Sequence, residues 1–152
     1  MEKKERVINP QRRTRLNSSL LYIAWVIALL STVGSLFFSE VMELPPCVLC
    51  WYQRISIYPL VLIIGTGIIM GDGRMRYYAL PLCLAGLAIS VYHNLLYYGI
   101  IPESLTPCTQ GVPCTDRQIE WLGFITIPLM GLAAFLSLAL CLLFYKPGRE
   151  RE

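Results

Sequence analysis

Two pairs of cysteines are the residues of this chain best suited to chemistry. Cys47 and Cys50 form a Cys-x-x-Cys motif, and Arg54 follows four residues later. The second pair is Cys108 and Cys114. A pair of thiols can exchange disulfide bonds and so carry two electrons, form a fixed cross-link, or bind zinc. The choice among these depends on where the rest of the chain holds the two pairs.

The composition is that of a membrane protein. Of the 152 residues, 55% are hydrophobic and 15% are charged, whereas soluble domains carry about 25% charged residues. The charges are confined to short clusters between four uncharged runs, at 20–38, 55–70, 77–100 and 122–145. A membrane span needs roughly 20 apolar residues. We therefore expect an all-α membrane protein folded as a four-transmembrane-helix bundle.

This expectation gives the chain one domain. We predict a single integral membrane domain over 1–152, with helices at approximately 20–38, 48–70, 77–99 and 121–145 and outer loops at 39–47 and 100–120.

The basic residues predict which side of the membrane each loop faces. Of the 13 Lys and Arg residues, all but Arg54 and Arg117 lie in the N-terminal segment, the loop between the second and third helices, or the C-terminal tail. The positive-inside rule therefore puts both termini in the cytoplasm and both cysteine pairs on the outer face, where disulfides form and persist. Dispersed basic residues beside membrane spans attract anionic lipid and give no reason to expect nucleic acid.

The sequence around the first pair favours a reactive thiol. Pro45 and Pro46 cannot continue a preceding helix and suit the first turn of a new one, so we expect the second helix to begin near Cys47. Cysteines three residues apart then share a helical face. The positive end of the helix and the charge of Arg54 would both stabilise a thiolate at Cys50.

The single histidine suggests a site for an electron acceptor. His93 lies in the predicted third helix at about the depth that Arg54 has in the second. A lone histidine on an apolar helix is more often a core residue, but polar residues inside a membrane are functional candidates. A quinone would need hydrogen-bond donors for its carbonyls, and these two side chains could face a shared pocket near Cys50. Cys83 and Cys141 are predicted to be small buried hydrophobes.

Simpler interpretations of these residues stay open at this point. The four outer cysteines could hold a structural zinc ion, although the Cys-x5-Cys spacing of the second pair is loose for one. The second pair could be a static cross-link, whose small ring would contribute only about 2 kcal/mol. Arg54 could extend to the lipid headgroups. We expect no metal site.

Two stretches of the chain resemble a known family. The motif CVLCWYQR at 47–54, which follows a double proline, closely resembles the signature of the DsbB family of disulfide bond formation proteins. The stretch CTDRQIEWLGFITIP at 114–128 is similar to that family's approach to its last helix. The resemblance covers roughly 20–145. Only five residues separate Cys108 from Cys114, and this short loop resembles the BdbC-type branch associated with Gram-positive bacteria.

The resemblance implies a thiol:quinone oxidoreductase in the bacterial cell membrane. A thioredoxin-fold thiol oxidase, DsbA-like or BdbD-like, would be reoxidised at a Cys108–Cys114 disulfide. A Cys47–Cys50 disulfide would then pass the electrons to menaquinone or ubiquinone, which drives disulfide formation in exported proteins. Arg54 and His93 match the family's quinone-contacting positions.

Three other functions fit parts of the pattern. A quinone or epoxide reductase resembling vitamin K epoxide reductase would move electrons the opposite way, but that family carries its Cys-x-x-Cys near the last helix. A tetraspan membrane protein with structural outer disulfides would have no quinone chemistry. A heavy-metal carrier would hold stoichiometric metal on its thiolates.

Overall fold

Four long helices dominate the fold. The computed structural model describes residues 10–102, 113–114, 120–121 and 125–146. The helices are α1 (Pro10–Leu36), α2 (Val48–Met70), α3 (Met75–Tyr97) and α4 (Ile127–Phe144). Each is long and apolar enough to cross a membrane, the first of them over Ser18–Val41. The predicted all-α, four-helix membrane architecture is confirmed.

Two short elements connect these helices. A π-helical turn, Phe37–Val41, extends α1. A two-residue antiparallel hairpin, β1 (Glu120–Trp121) and β2 (Ile125–Thr126), precedes α4. The hairpin corrects the predicted start of the fourth helix at residue 121. Backbone pairing continues to Thr126, whose side chain then accepts the N–H of Leu129 and so caps the helix.

The helices form a ring in which each packs on two neighbours. α1 and α3 each lie against both α2 and α4. Small residues allow the close approach: a Cβ at Gly86 on α3 would overlap the ring of Phe135 on α4. On the other side of the ring, the Trp25 indole of α1 donates to the carbonyl of Val61 on α2 at 3.2 Å. Cys47 at the start of α2 lies 3.8 Å from His93 near the end of α3, and Gly67 near the end of α2 lies against Met75 at the start of α3, so these two helices are antiparallel.

The buried residues form two clusters. The larger fills the middle of the bundle and includes the fully buried Cys83, with the partly buried Cys141 packed against it. Cys83 is buried as predicted, whereas Cys141 is only partly buried. The smaller cluster lies at one end of the bundle and contains Cys47, Leu49, Leu96 and Cys114. We call this end, with its smaller cluster, the cysteine end.

Candidate functional site

The first cysteine pair lies where α2 begins. Cys47 is the N-cap residue of α2, with extended backbone angles (φ −69°, ψ 167°), and its sulfur accepts the backbone N–H of Cys50 at 3.3 Å. Both residues are free thiols, and their sulfurs are 2.8 Å apart. Since a disulfide bond is about 2.05 Å long, the pair needs less than about 1 Å of further approach to close. The helix start therefore holds two thiols ready to form and break one bond.

His93 of α3 lies against this pair. It is 2% exposed, and its Nε2 lies 3.8 Å from Cys47 Sγ and 3.2 Å from the carbonyl oxygen of Cys114. Its Nδ1 lies 3.5 Å from the side-chain nitrogen of Gln53. If the amide of Gln53 donates to Nδ1, Nε2 carries the proton and donates to the Cys114 carbonyl. In that tautomer the N–H of Nε2 is directed at Cys114.

The more acidic thiol of the pair is Cys47. The hydrogen bond that the two sulfurs share is the largest effect lowering the pKa of Cys47; burial opposes it, and His93 and the N–H of Cys50 lower it further. A sulfur at the N-cap also receives the positive end of the helix dipole. The cap position and these contacts therefore favour a thiolate on Cys47. The sequence had suggested Cys50 because helical spacing does not reveal which sulfur occupies the cap.

Cys114 joins the second cysteine pair to this site. It is 4% exposed, takes part in a disulfide bond, and packs in the same small cluster as Cys47 and Leu96. Cys108, the partner predicted for it, lies outside the described residues, so this pairing stays a prediction.

Arg54 points towards α1, inside the bundle. It is 9% exposed. Its Nε donates to Ser35 Oγ and its Nη2 to the Ser35 carbonyl, both at 2.8 Å. The guanidinium carbon lies 5.5 Å from the centre of the Trp51 ring, a cation–π distance. These contacts hold the charge within the bundle at the cysteine end.

A cavity of about 190 Å³ opens between α1, α2 and α4. Its polar lining comes mainly from Cys50, Gln53 and Arg54 on α2, and from Ser31 and Ser35 on α1. The remaining lining is mostly apolar and comes from Leu30, Gly34, Phe38, Leu44, Pro46, Ile57, Ile127, Met130, Gly131, Ala134 and Phe135. The cavity thus places one cysteine and one guanidinium in an apolar chamber.

His93 is not among the residues that line this cavity. This cavity therefore does not bring Arg54 and His93 together, and their shared contact with a quinone stays a prediction. The two side chains lie on different sides of α2, and Gln53 bridges them, because it lines the cavity and also contacts His93. Sequence reasoning missed Gln53. The sequence feature that could have identified Gln53 is a polar side chain in an apolar helix, three residues after Cys50.

The first cysteine pair therefore faces two environments. Cys50 lies on the cavity with Arg54, while Cys47 lies beside His93 and the disulfide-bonded Cys114. A disulfide formed by this pair would be accessible to thiol exchange on one side and to a bound molecule on the other.

Comparison with known proteins identifies the family. The family described as "Disulfide bond formation protein DsbB" matches residues 17–145 of this chain. The chain belongs to the DsbB family. Its DsbB-family match spans all four membrane helices and both cysteine pairs.

Bacterial relatives agree with this assignment. The chain is 47% identical to "Disulfide bond formation protein C" of Bacillus subtilis (strain 168), over 87% of this chain and 95% of that protein. It is 40% identical to "Probable disulfide formation protein C 1" of Bacillus anthracis, over 85% and 93%. It is 38% identical to "Probable disulfide formation protein" of Metapseudomonas resinovorans, over 91% and 96%. These relatives support the expected likeness to the BdbC branch. No solved structure matches the chain.

Proposed function

We propose that this protein is a membrane thiol:quinone oxidoreductase that drives disulfide bond formation in exported proteins. Family membership supports a role in disulfide formation. The observation that carries the finer proposal is the position of the first cysteine pair. Cys50 lines an apolar cavity that contains a guanidinium, and Cys47 packs against the disulfide-bonded Cys114.

Electrons would enter at the second cysteine pair. A reduced thioredoxin-fold thiol oxidase, DsbA-like or BdbD-like, would attack a Cys108–Cys114 disulfide with its thiolate. In each exchange step the attacking thiolate forms a new S–S bond, and the other sulfur leaves as a thiolate. The released thiolate would then open a Cys47–Cys50 disulfide and form a mixed disulfide with it. The partner's second thiol would close the partner's own disulfide and release the other cysteine of the second pair, whose thiolate would restore Cys108–Cys114 and leave the first pair reduced. Packing of Cys114 on Cys47 supports this transfer.

The packing indicates which sulfur of the first pair would be attacked. Cys114 packs on Cys47, so the second pair would attack Cys47 and release Cys50 as a thiolate. Cys50 lines the cavity together with Arg54, whose charge would stabilise that thiolate next to a bound quinone.

The cavity fits the head of a quinone in size and in donors. A cavity of about 150 Å³ is enough to bind benzene, and this one is about 190 Å³. Ser35 occupies two N–H donors of Arg54, and a guanidinium has five. The others would donate to a carbonyl oxygen, and Gln53 would add a second polar contact. Menaquinone or ubiquinone bound there would accept two electrons and two protons.

The cavity is also placed for a lipid-soluble molecule. Leu30 on α1 and Met130 on α4 line it and are 65% and 48% exposed. Both residues lie in candidate membrane spans, so their exposed surfaces would contact lipid. A quinone would enter between these two helices from the bilayer.

The proposal includes an orientation in the bacterial cell membrane. The positive-inside rule favours cytoplasmic termini and an extracytoplasmic cysteine end, since all but Arg54 and Arg117 of the 13 basic residues lie in the segments assigned to the cytoplasm. A reporter that is active only in the cytoplasm should give signal when fused to the C-terminus. Signal only from an extracytoplasmic reporter would reverse the orientation.

Quinone reduction by purified protein tests the proposal. The protein is mixed with a reduced thioredoxin-fold partner and a soluble quinone. We expect quinone reduction that is abolished in Cys50→Ser, strongly reduced in Arg54→Ala and unchanged in Cys83→Ala. Equal activity in Cys50→Ser would refute the assignment. Electron flow from quinol to the partner would instead identify a reductase.

A further inference from the structure

Three possible metal ligands meet at the cysteine end. The sulfurs of Cys47 and Cys50 and a ring nitrogen of His93 all lie within 4.8 Å of one another. Cys47 and His93 are buried and Cys50 is half-buried. Two thiolates with an imidazole are a ligand set typical of Zn²⁺, and three protein ligands leave a fourth position for water.

We propose that the reduced first cysteine pair and His93 form an inhibitory zinc site. The ion would bind only after the pair is reduced, because a disulfide has no thiolate to offer. Bound Zn²⁺ would then hold both sulfurs and prevent them from forming a disulfide. The binding site stands on its own geometry, whereas its inhibitory effect rests on the proposed function.

The measured distances fit such a site after one small movement. With Zn–S of about 2.3 Å and Zn–N of about 2.0–2.1 Å, tetrahedral geometry requires an S···S distance of about 3.8 Å and S···N distances of about 3.6 Å. Cys47 Sγ already lies 3.8 Å from His93 Nε2. The sulfurs of Cys47 and Cys50, now 2.8 Å apart, would have to separate by about 1 Å. Cys50 borders the cavity, so its side chain has space for that rotation.

Gln53 would support the metal through His93. Ligation by Nε2 requires the ring proton to be on Nδ1, which must then donate to an acceptor. The amide of Gln53 lies 3.5 Å from Nδ1, and rotating it by half a turn would present oxygen in place of nitrogen. The two thiols lose their protons to solvent as the metal binds, and no electron is transferred. Gln53 is thus a positioning residue for this site.

Metal binding to the reduced, purified protein tests the proposal. A background with both Cys108→Ser and Cys114→Ser removes the second pair as a competing source of thiolates. The protein is reduced with a phosphine, titrated with Co²⁺ as a spectroscopic probe, and then titrated with Zn²⁺ in competition. We expect one ion per chain, thiolate-to-cobalt absorption, and no uptake by the oxidised protein. Loss of the outer partner of His93 in Gln53→Ala should weaken binding by about 10–100-fold.

Two further variants locate the site. His93→Ala should weaken Zn²⁺ binding by more than Gln53→Ala does, and Cys83→Ala, a buried cysteine elsewhere in the bundle, should bind as the parent does. The proposal is overturned if the folded, reduced protein takes up no metal. It is equally overturned if both His93→Ala and Gln53→Ala bind as tightly as the parent.

Activity separates this proposal from the proposed function. If the reduced protein binds Zn²⁺ as described but the wild type never reduces quinone, the zinc site stands and the proposed function fails. If the wild type reduces quinone and stoichiometric Zn²⁺ neither binds nor slows it, the zinc proposal fails alone.

Discussion

Replacing Ser35 by alanine tests whether the orientation of Arg54 determines how the cavity binds its ligand. Arg54 is held by two hydrogen bonds to Ser35, one to its hydroxyl and one to its carbonyl, each 2.8 Å long. Ser35→Ala removes the first and leaves the second. The guanidinium stays buried but loses the contact that fixes its Nε, so it should present its remaining N–H donors less well.

The expected effect follows from the strength of that bond. A hydrogen bond to a charged group contributes about 1.5–3 kcal/mol. Because the bond to the carbonyl remains, we take the lower end, and about 1.4 kcal/mol corresponds to a factor of ten in affinity. We therefore expect the KM for quinone to rise about tenfold in Ser35→Ala, with little change in the KM for the reduced partner.

Ser31 provides a matched control. It lines the same cavity one turn earlier on α1, but its hydroxyl donates to the Ile27 carbonyl at 2.7 Å within its own helix. The assay follows quinone reduction at saturating reduced partner over a range of quinone concentrations, and thermal unfolding checks that both variants fold. Ser31→Ala should match the wild type. An unchanged quinone KM in Ser35→Ala, or an equal rise in Ser31→Ala, would refute this account of Arg54.

Two further predictions concern the acidity of the first pair and the packing of the bundle. The alkylation rate of Cys47 in the reduced protein should already be independent of pH near neutrality, whereas the rate for an ordinary thiol rises nearly tenfold with each unit of pH until the pH approaches its pKa of about 8.5. His93→Ala should raise the pKa of Cys47, because His93 helps to lower it. Since folding lowers this pKa, the thiolate stabilises the reduced fold fully above the pKa of the unfolded thiol. That stability is lost as the pH falls through the pKa of the folded thiol. An alkylation rate of Cys47 that climbs steadily from pH 6 to pH 8 would contradict the lowered pKa. In the bundle, Gly86→Ala should lower the free energy of unfolding by about 1–3 kcal/mol, because its Cβ would overlap the Phe135 ring. Gly34→Ala, with nothing within 4 Å of the added carbon, should be neutral or stabilising in the same thermal unfolding series, and equal losses in both variants would disprove the packing argument.

The start of α2 shows how much of this fold the sequence could predict. The double proline and the apolar run indicated a helix from about residue 48, and α2 spans Val48–Met70. A strong local signal of this kind needs no tertiary information. The start of α4 has no such local signal, because the apolar run includes β2 as well as the helix. The pairing of β1 with β2 keeps the backbone extended up to Thr126, and α4 begins at the next residue.

The arrangement of the site was only partly predictable, for a geometric reason. Helical rise gives the depth of a residue, so Arg54 and His93 could be assigned to one level of the membrane. The direction in which each side chain points depends on how the helices rotate against one another, which comes from packing. The ring of helices turns Arg54 towards Ser35 on α1 and His93 towards Cys47 and Cys114. Gln53 gained its bridging position from the same rotation.

The electron balance of a single turnover tests the central claim most directly. Reduced thioredoxin-fold partner, protein and quinone are mixed without oxygen, and the quinol formed and the partner disulfide formed are both counted. The account predicts one quinol for each partner disulfide in the wild type and in Cys83→Ala, and no quinol in Cys50→Ser. Partner oxidation without quinol, or undiminished quinol in Cys50→Ser, would contradict it.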